Sequence, residues 1–356
     1  MLDTTTTHKA APTSRPQPSL EDRVRNDPAA FRILTGDRPT GPLHIGHYFG
    51  TLENRVRLQA LGVELFVLIA DYQAITDRDA PARLADDVYG LVADYLAVGI
   101  DPDRAVVFAH SKVPELNQLV LPFLSLVSVA ELGRNPTVKE EIAAAGGGTT
   151  SALMFTYPVH QAADILFCRA NLVPVGRDQL PHLELTRTIA RRFNERYSSE
   201  RPYFPQPEAL LSRAPLLLGL DGRKMSKSRG NSIALAADED DTARLIRGAK
   251  TDGTRLITYD PQRRPEVSNL LQIAALCLDR RPEEIAAEIE DGGALALKNL
   301  AADALNEHLR PIRARRAELA SDRGYLRSVL RRGNECAREI AVITLDTVHE
   351  LMHTNY

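Results

Sequence analysis

The chain has 356 residues, of which 44% are hydrophobic and 26% are charged, and its formal net charge at pH 7 is −3. This length predicts a sizeable core and two domains, and the negative charge excludes nucleic-acid binding through net positive charge alone. No apolar run is long enough to span a membrane. The three isolated cysteines fit neither a disulfide framework nor a metal site, which favours a reducing cytoplasm.

The first part of the chain predicts a disordered tail followed by an α/β domain. Residues 1–28 are rich in Thr, Ser and Pro and lack the apolar block of a signal peptide. Strand and helix patterns then alternate, which predicts a doubly wound parallel sheet, a Rossmann-like catalytic domain, over residues 29–218. The predicted strands are 31–35, 63–71, 105–111 and 170–176, and the predicted helices are 44–61, 82–98, 116–132, 157–167 and 179–197.

Strand patterns fade after residue 232, and the remaining segments have helical periodicity. We therefore predict a C-terminal α-helical domain over residues 233–356, connected to the first domain by a polar loop at 219–232. Its predicted helices are 242–249, 267–278, 282–289, 295–317 and 325–351.

The segment TGPLHIGHYFG (40–50) follows the first predicted strand, where a doubly wound sheet binds its ligand. His44 and His47 lie one helical turn apart and can donate hydrogen bonds toward the same oxygens, and Gly46 leaves room for a flat base. A helix N-terminus also favours phosphate. The alternative is a buried helix start that uses histidine for structural reasons.

The segment GLDGRKMSKSRGNSI contains Lys224 and Lys227 in a polar, glycine-flanked loop. Two ammonium groups in such a loop suit the charge that develops on a pyrophosphate leaving group. A solvated basic loop is the alternative.

HIGH followed by KMSKS resembles the paired signature of class I aminoacyl-tRNA synthetases. The resemblance implies activation of an amino acid by ATP, accompanied by Mg²⁺, and transfer of the aminoacyl group to tRNA. It also implies a phosphate-binding role for Lys139, beside the catalytic His44, His47, Lys224 and Lys227. The ATP contacts that it implies are Arg38, Pro39, Thr40, Gly46, His47, Gly176, Arg177, Asp178, Leu216, Lys224, Met225, Ser226, Lys227 and Ser228.

Two longer stretches, TGDRPTGPLHIGHYFG and LVPVGRDQLPHLELTRTIARRFN, resemble bacterial tryptophanyl-tRNA synthetases, whose substrates are L-tryptophan and tRNA(Trp). The resemblance implies that Asp164, in YPVHQAAD, accepts the indole N–H, and that Tyr157 and Gln179 hold the ammonium group. The alternative for Asp164 is a partly solvated helix carboxylate. The other tryptophan-binding positions that it implies are Gly36, Leu34, Gln73 and Gln161.

Some positions depart from the typical bacterial pattern. Tyr157, Gln161 and Asp164 are also spaced as in tyrosyl enzymes, but Leu34 stands where those enzymes need a tyrosine. Typical bacterial tryptophanyl enzymes have Gln, His and an apolar residue where this chain has Arg38, Gln73 and Gln161, so the chain resembles a divergent second type of these enzymes. This resemblance raises the hypothesis of an auxiliary, inhibitor-tolerant isozyme.

Partners are predicted from the same resemblance: a homodimer, and tRNA binding by the helical domain. The arginines of this domain are Arg310, Arg313, Arg315, Arg316, Arg323, Arg327, Arg331, Arg332 and Arg338. Acidic residues are interspersed with them, so an ordinary solvated face is the alternative.

Two further classes of protein are candidates: a related nucleotidyltransferase, and a non-catalytic paralogue that senses tRNA or tryptophan. Intact HIGH and KMSKS motifs argue against both.

Overall fold

A five-stranded parallel sheet with helices on both faces forms the centre of the protein in the computed structural model. The structure describes residues 18–74, 83–136, 138–139, 151–176, 179–211 and 216–356. The strand order is β3-β2-β1-β4-β5. The strands are β1 (Arg32–Asp37), β2 (Glu64–Ile69), β3 (Ala105–Ala109), β4 (Leu172–Val175) and β5 (Glu208–Leu211).

Chain order reverses between β1 and β4, which is the switch point where doubly wound sheets bind ligands. The helices that surround the sheet are α1 (Leu20–Asn26), α2 (Ile45–His47), α3 (Glu53–Leu61), α4 (Asp71–Ala74), α5 (Leu84–Ala97), α6 (Pro114–Gln118), α7 (Val120–Leu124), α8 (Val129–Arg134), α9 (Ala152–Phe167) and α10 (Leu180–Tyr197). Helices α2 and α3 are joined by a π-helical turn, Tyr48–Leu52, and Gly62 ends α3 in the left-handed conformation with φ 94°.

Alternate residues of the strands face two hydrophobic clusters. Ile33, Leu65 and Val67 belong to one cluster, whereas Leu34 and Phe66 belong to the other. This division follows from the two-residue period of a strand, and it buries both faces of the sheet.

The C-terminal region is helical, and its first four helices share a hydrophobic cluster with one face of the sheet. The last helix contributes Leu326, Val329 and Leu330 to the same cluster and also runs along the edge strand β3, where the Asn334 side chain accepts a hydrogen bond from Ala109 N (2.9 Å). The helix therefore covers an edge that would otherwise expose unpaired backbone groups. These helices are α11 (Glu239–Arg247), α12 (Pro265–Leu278), α13 (Pro282–Ile289), α14 (Gly293–Ser321) and α15 (Arg323–Leu351).

Two local expectations from the sequence are wrong, and one strand was not predicted. Leu20–Asn26 is helical and buries Val24, so the predicted disordered tail does not extend through residue 28. The predicted helix 116–132 is divided among α6, α7 and α8. Strand β5 is absent from the predicted strands, because its four residues include Glu208 and Ala209, which have low strand propensity.

The described residues contain no helix that is both long and apolar enough to cross a membrane.

Candidate active site

The carboxyl end of β1 is shaped by close backbone packing and by an ion pair whose side chains are 2% and 13% exposed. A Cβ atom at Gly36 would lie 2.4 Å from the carbonyl oxygen of Leu68, so only glycine fits there. The next residue, Asp37, accepts hydrogen bonds from Arg55 (2.7 Å) and Tyr95 (2.8 Å). Burial opposes ionisation of this carboxyl group, but the Arg55 charge prevails and holds the pKa of Asp37 at about 2. Sequence analysis does not predict this network, because its members are far apart in the chain.

The two histidines of HIGH are adjacent, uncharged side chains. Their ring centroids are 3.8 Å apart, and the backbone N–H of His44 donates to Nδ1 of His47 (3.2 Å). The proton of neutral His47 therefore sits on Nε2, which is available as a donor. Burial lowers the pKa of His44 to about 3 and that of His47 to about 4. Both side chains can thus donate hydrogen bonds at neutral pH without carrying charge.

The KMSKS loop lies directly against the turn between β1 and α2 (residues 38–44), which is called the HIGH turn below. Nζ of Lys227 donates to the carbonyl oxygen of Gly41 at 2.7 Å, across 186 positions of sequence. Burial lowers the pKa of Lys227. Just after the loop, Ile233 O accepts from Ile45 N (3.0 Å) and Leu235 N donates to Leu43 O (2.9 Å). Backbone hydrogen bonds therefore bring the two motifs together.

Asn231 organises the loop internally, and sequence analysis does not single it out. Its side-chain oxygen accepts from Ser226 N (2.8 Å), while its amide group donates to Asp221 (2.7 Å) and to the carbonyl of Lys224 (3.2 Å). Asn231 is buried, and a buried amide that makes all these bonds fixes the loop conformation.

Asp164 lies on α9 and is 1% exposed, which contradicts the alternative of a partly solvated carboxylate. Its Oδ1 atom is 2.6 Å from Nε2 of His110, which follows β3. The His110 ring stacks with His160 at 4.5 Å and with Tyr72 at 6.3 Å. Sequence analysis missed His110, because the contact depends on how β3 and α9 pack.

Tyr157, on the same helix as Asp164, has its hydroxyl 2.7 Å from Nε2 of His182. His182 is buried on α10, so this contact ties Tyr157 to the helix that begins just after Gln179.

The structure distributes the other predicted site residues over several environments. Arg177 and Asp178, and the side chain of Ser228, lie outside the described residues. The buried members are Leu34, Pro39 and Met225, the half-buried members are Thr40, Gly46, Gln73, Gln161, Gln179 and Ser226, and the exposed members are Gly36, Arg38, Lys139, Gly176, Leu216 and Lys224.

A buried carboxylate connects the HIGH turn to the helical region. Asp94 on α5 is bonded to Arg316 of α14 (2.5 Å) and accepts a hydrogen bond from the backbone N–H of Leu43 (3.1 Å). Nearby, Nε2 of His308 on α14 is 3.1 Å from the Tyr48 hydroxyl. The helical region thus contacts Tyr48 directly, after the two histidines, and reaches Leu43, before them, through Asp94.

Most of the arginines proposed to face tRNA bind groups of the chain itself. Arg323 pairs with Asp86, Arg332 with Asp103, and Arg338 with Glu115. Arg310, Arg313, Arg315, Arg316 and Arg331 also have partners within the chain. Six of the nine are paired with carboxylates, whereas Arg313 and Arg315 bind a hydroxyl and a backbone carbonyl, so the choice between a tRNA-binding surface and an ordinary solvated face stays open.

The comparisons with known proteins agree with this geometry. Residues 26–310 match the family described as tRNA synthetases class I (W and Y). The chain is 43% identical over 336 residues to a tryptophan–tRNA ligase of Streptococcus agalactiae, and the match covers 91% of this chain and 98% of the relative.

Solved structures give the same result. The tryptophanyl-tRNA synthetase of Campylobacter jejuni, complexed with ADP and tryptophan, aligns with a TM-score of 0.78 and 31% identity, over 90% of this chain and 99% of that one. The tyrosyl-tRNA synthetase of Archaeoglobus fulgidus, complexed with L-tyrosine, aligns with a TM-score of 0.63 and 25% identity, over 80% of this chain and 90% of that one.

Proposed function

This chain belongs to the tryptophanyl-tRNA synthetase family of class I aminoacyl-tRNA synthetases, and from this premise we propose that it activates L-tryptophan with ATP and transfers it to tRNA(Trp). The observation that carries the proposal is the contact between Lys227 and Gly41, which joins KMSKS to the HIGH turn at the carboxyl end of β1.

In the first step, the tryptophan carboxylate attacks the α-phosphorus of ATP, a new oxygen–phosphorus bond forms, and pyrophosphate leaves. His44 and His47 contribute neutral donors to the phosphate oxygens. Lys227 supplies positive charge where negative charge accumulates on the leaving group. In the second step, a hydroxyl of the terminal adenosine of tRNA attacks the carbonyl carbon of the adenylate, and AMP leaves.

We propose that Mg²⁺ reaches the site bound to the phosphates of ATP. Asp37 is the carboxylate at the end of β1, but its Oδ2 atom is bonded to both Arg55 and Tyr95. A carboxylate held in this way is a poor candidate for a magnesium ligand, because Mg²⁺ demands near-ideal octahedral geometry.

Asp164 is proposed to accept the indole N–H. A buried anionic acceptor suits a donor that must lose its water on binding. Tyr157 and Gln179 are proposed to hold the ammonium group, and Leu34, Gly36, Gln73 and Gln161 to complete the pocket. The remaining ATP-contact roles, the phosphate-binding role of Lys139, and the division of the chain after α1 into catalytic domain, loop and helical tRNA-binding domain also stay proposals.

A homodimer is proposed as the assembled form. Two large apolar side chains on successive short helices, Leu121 and Val129, are 75% and 74% exposed, and we propose that they belong to an apolar surface that a second copy of the chain covers. If this face forms the dimer, the Leu121→Glu variant should shift the mass measured by light scattering toward that of a monomer.

The central experiment is pyrophosphate exchange into ATP with each of the twenty amino acids, followed by charging of tRNA(Trp). Tryptophan should stimulate exchange above all others. Stimulation by tyrosine and not by tryptophan would contradict the proposal. Exchange without charging of tRNA(Trp) would restrict the function to adenylate formation.

A further inference from the structure

The contact between His110 and Asp164 is a buried pair at the proposed indole subsite. The side chains of His110 and Asp164 are 0% and 2% exposed, and the atoms Nε2 and Oδ1 are 2.6 Å apart. A hydrogen bond this short, removed from water, fixes the position of the carboxylate far more firmly than a solvated contact would.

The surroundings select one protonation pattern for the pair. The Nδ1 atom of His110 is buried and has no hydrogen-bond partner among the described residues. A proton there would be an orphaned buried donor, which costs free energy. The single proton of a neutral ring therefore belongs on Nε2, where it is donated to Oδ1 of Asp164.

The orientation of His110 is restrained by its stacking with His160, with an angle of 27° between the rings. His160 is in turn held by Asn117, whose side-chain oxygen lies 2.8 Å from Nε2. Burial lowers the pKa of His160, so this ring is neutral and adds no charge beside the pair. The result is a chain of contacts from Asn117 through His160 and His110 to Asp164.

His110, His160 and Asp164 are also close enough to be considered as metal ligands, because their nearest candidate atoms all lie within 4.8 Å of one another. The stacked rings argue against this use. An imidazole binds a metal ion in its own plane, about 2 Å from the nitrogen, and two nearly parallel rings 4.5 Å apart do not direct their lone pairs at one point. The arrangement suits hydrogen bonding instead.

We propose that His110 is a positioning residue for tryptophan recognition: by donating to Oδ1 of Asp164, it directs the other oxygen of that carboxylate to the indole N–H. This inference rests on the proposed function. It identifies His110, through Asp164, as a determinant of selectivity for a substrate with an N–H group at this point. The hydrogen bond from substrate to a fixed acceptor then discriminates against analogues without that donor.

The test compares tryptophan with β-(1-benzothiophen-3-yl)alanine, in which sulfur replaces the indole N–H. The measured quantity is the ratio of kcat/KM for the two substrates in pyrophosphate exchange. In the His110→Phe variant, which keeps an aromatic ring but has no donor, the ratio should fall roughly 10-fold or more, as expected for a hydrogen bond to a charged group. The His110→Gln variant keeps a donor and should recover part of the ratio.

Two further variants separate positioning from a general structural role. Asn117→Leu removes the partner of His160 but leaves the hydrogen bond between His110 and Asp164 in place, so it should lower the ratio much less than His110→Phe does. Adding His110→Phe to Asp164→Ala should not lower the ratio further, because His110 acts only through Asp164.

Equal losses for both substrates in His110→Phe, or an unchanged ratio, would overturn the inference while leaving tryptophan activation intact. If His110→Phe does not fold, as judged by thermal melting, His110→Leu provides the same comparison. Failure of the proposed function itself would appear differently, as the absence of tryptophan-dependent exchange in the unsubstituted protein.

Discussion

Nζ of Lys227 lies 2.7 Å from the carbonyl oxygen of Gly41, so the loop that carries the second motif is bonded to the turn that precedes the first. A backbone carbonyl is a weaker partner for an ammonium group than a carboxylate or a phosphate. Lys227 can therefore exchange Gly41 for a phosphate oxygen when ATP occupies the turn.

Replacing Lys227 by Ala should slow adenylate formation far more than it weakens ATP binding, because its charge is needed most as pyrophosphate departs. Single-turnover adenylate formation and the Kd for ATP would be measured separately. Lys298→Ala is a matched control, since its Nζ also donates to a backbone carbonyl, that of Arg247 at 3.0 Å. A loss confined to ATP affinity would contradict the proposed role of Lys227.

The two histidines of HIGH should make the protein less stable as the pH falls from about 6.5 toward 4. Burial lowers the pKa of His44 to about 3 and that of His47 to about 4, below the value of 6.5 for an unperturbed histidine. Within this window the unfolded chain binds protons that the folded protein does not, so acidification favours unfolding. Urea unfolding at several pH values would measure how steeply the free energy of unfolding falls with decreasing pH. This pH dependence should be weaker in His47→Gln. An equal pH dependence in the unsubstituted protein and in His47→Gln would show that His47 does not cause the loss of stability in acid.

Arg316→Met should destabilise the protein because it leaves the buried carboxylate of Asp94 without its cation. Side-chain exposure is 0% for Asp94 and 21% for Arg316, and breaking a buried pair costs about 3 kcal/mol. Adding Asp94→Asn should restore part of this loss, since a neutral amide oxygen can still accept from Leu43 N. The free energies of unfolding of the two single variants and the double variant give the coupling. Additive losses would show that the two side chains act independently.

Two helical glycines should respond oppositely to replacement by alanine. A Cβ atom at Gly333 would lie 1.9 Å from the carbonyl oxygen of Val107, so Gly333→Ala must move α15 away from β3. We expect a loss of roughly 3 kcal/mol, as for overpacking against a rigid neighbour.

At Gly90 nothing described lies within 4 Å of such an atom, so Gly90→Ala should stabilise α5 by about 0.5–1 kcal/mol. Thermal or urea unfolding of each variant would measure these opposite changes in the free energy of unfolding. Unchanged stability of the Gly333→Ala variant would mean that α15 can move away from β3 without a cost in free energy.

The hypothesis of an inhibitor-tolerant isozyme concerns Gln73, on the same short helix as Tyr72, which stacks with His110. A glutamine lacks the imidazole ring and its possible charge. A tryptophan-mimicking inhibitor is therefore expected to bind more weakly to this protein than to its Gln73→His variant, while the KM for tryptophan stays similar, because discrimination is a difference between two binding energies. Equal inhibition constants for the two proteins would remove the support for this hypothesis.

The sequence by itself determined four of the five parallel strands and the identity of the two motifs. Buried strands such as 63–71 are continuous apolar runs, and HIGH and KMSKS are local strings, so both can be recognised without knowledge of distant contacts. The left-handed residue Gly62 at the end of α3 follows from similarly local chemistry.

The tertiary structure alone decided which polar side chains work together. Asp37 meets Arg55 and Tyr95, Asp94 meets Arg316, and Asp164 meets His110, each across 18 or more positions of sequence. The resemblance predicted that Asp164 recognises substrate but not what holds it, and the sequence left open whether Arg316 and its neighbours form a basic surface or an ordinary solvated face. A buried charge must find a partner to offset its lost hydration, and that partner is supplied by whichever element packs against it, which no local pattern records.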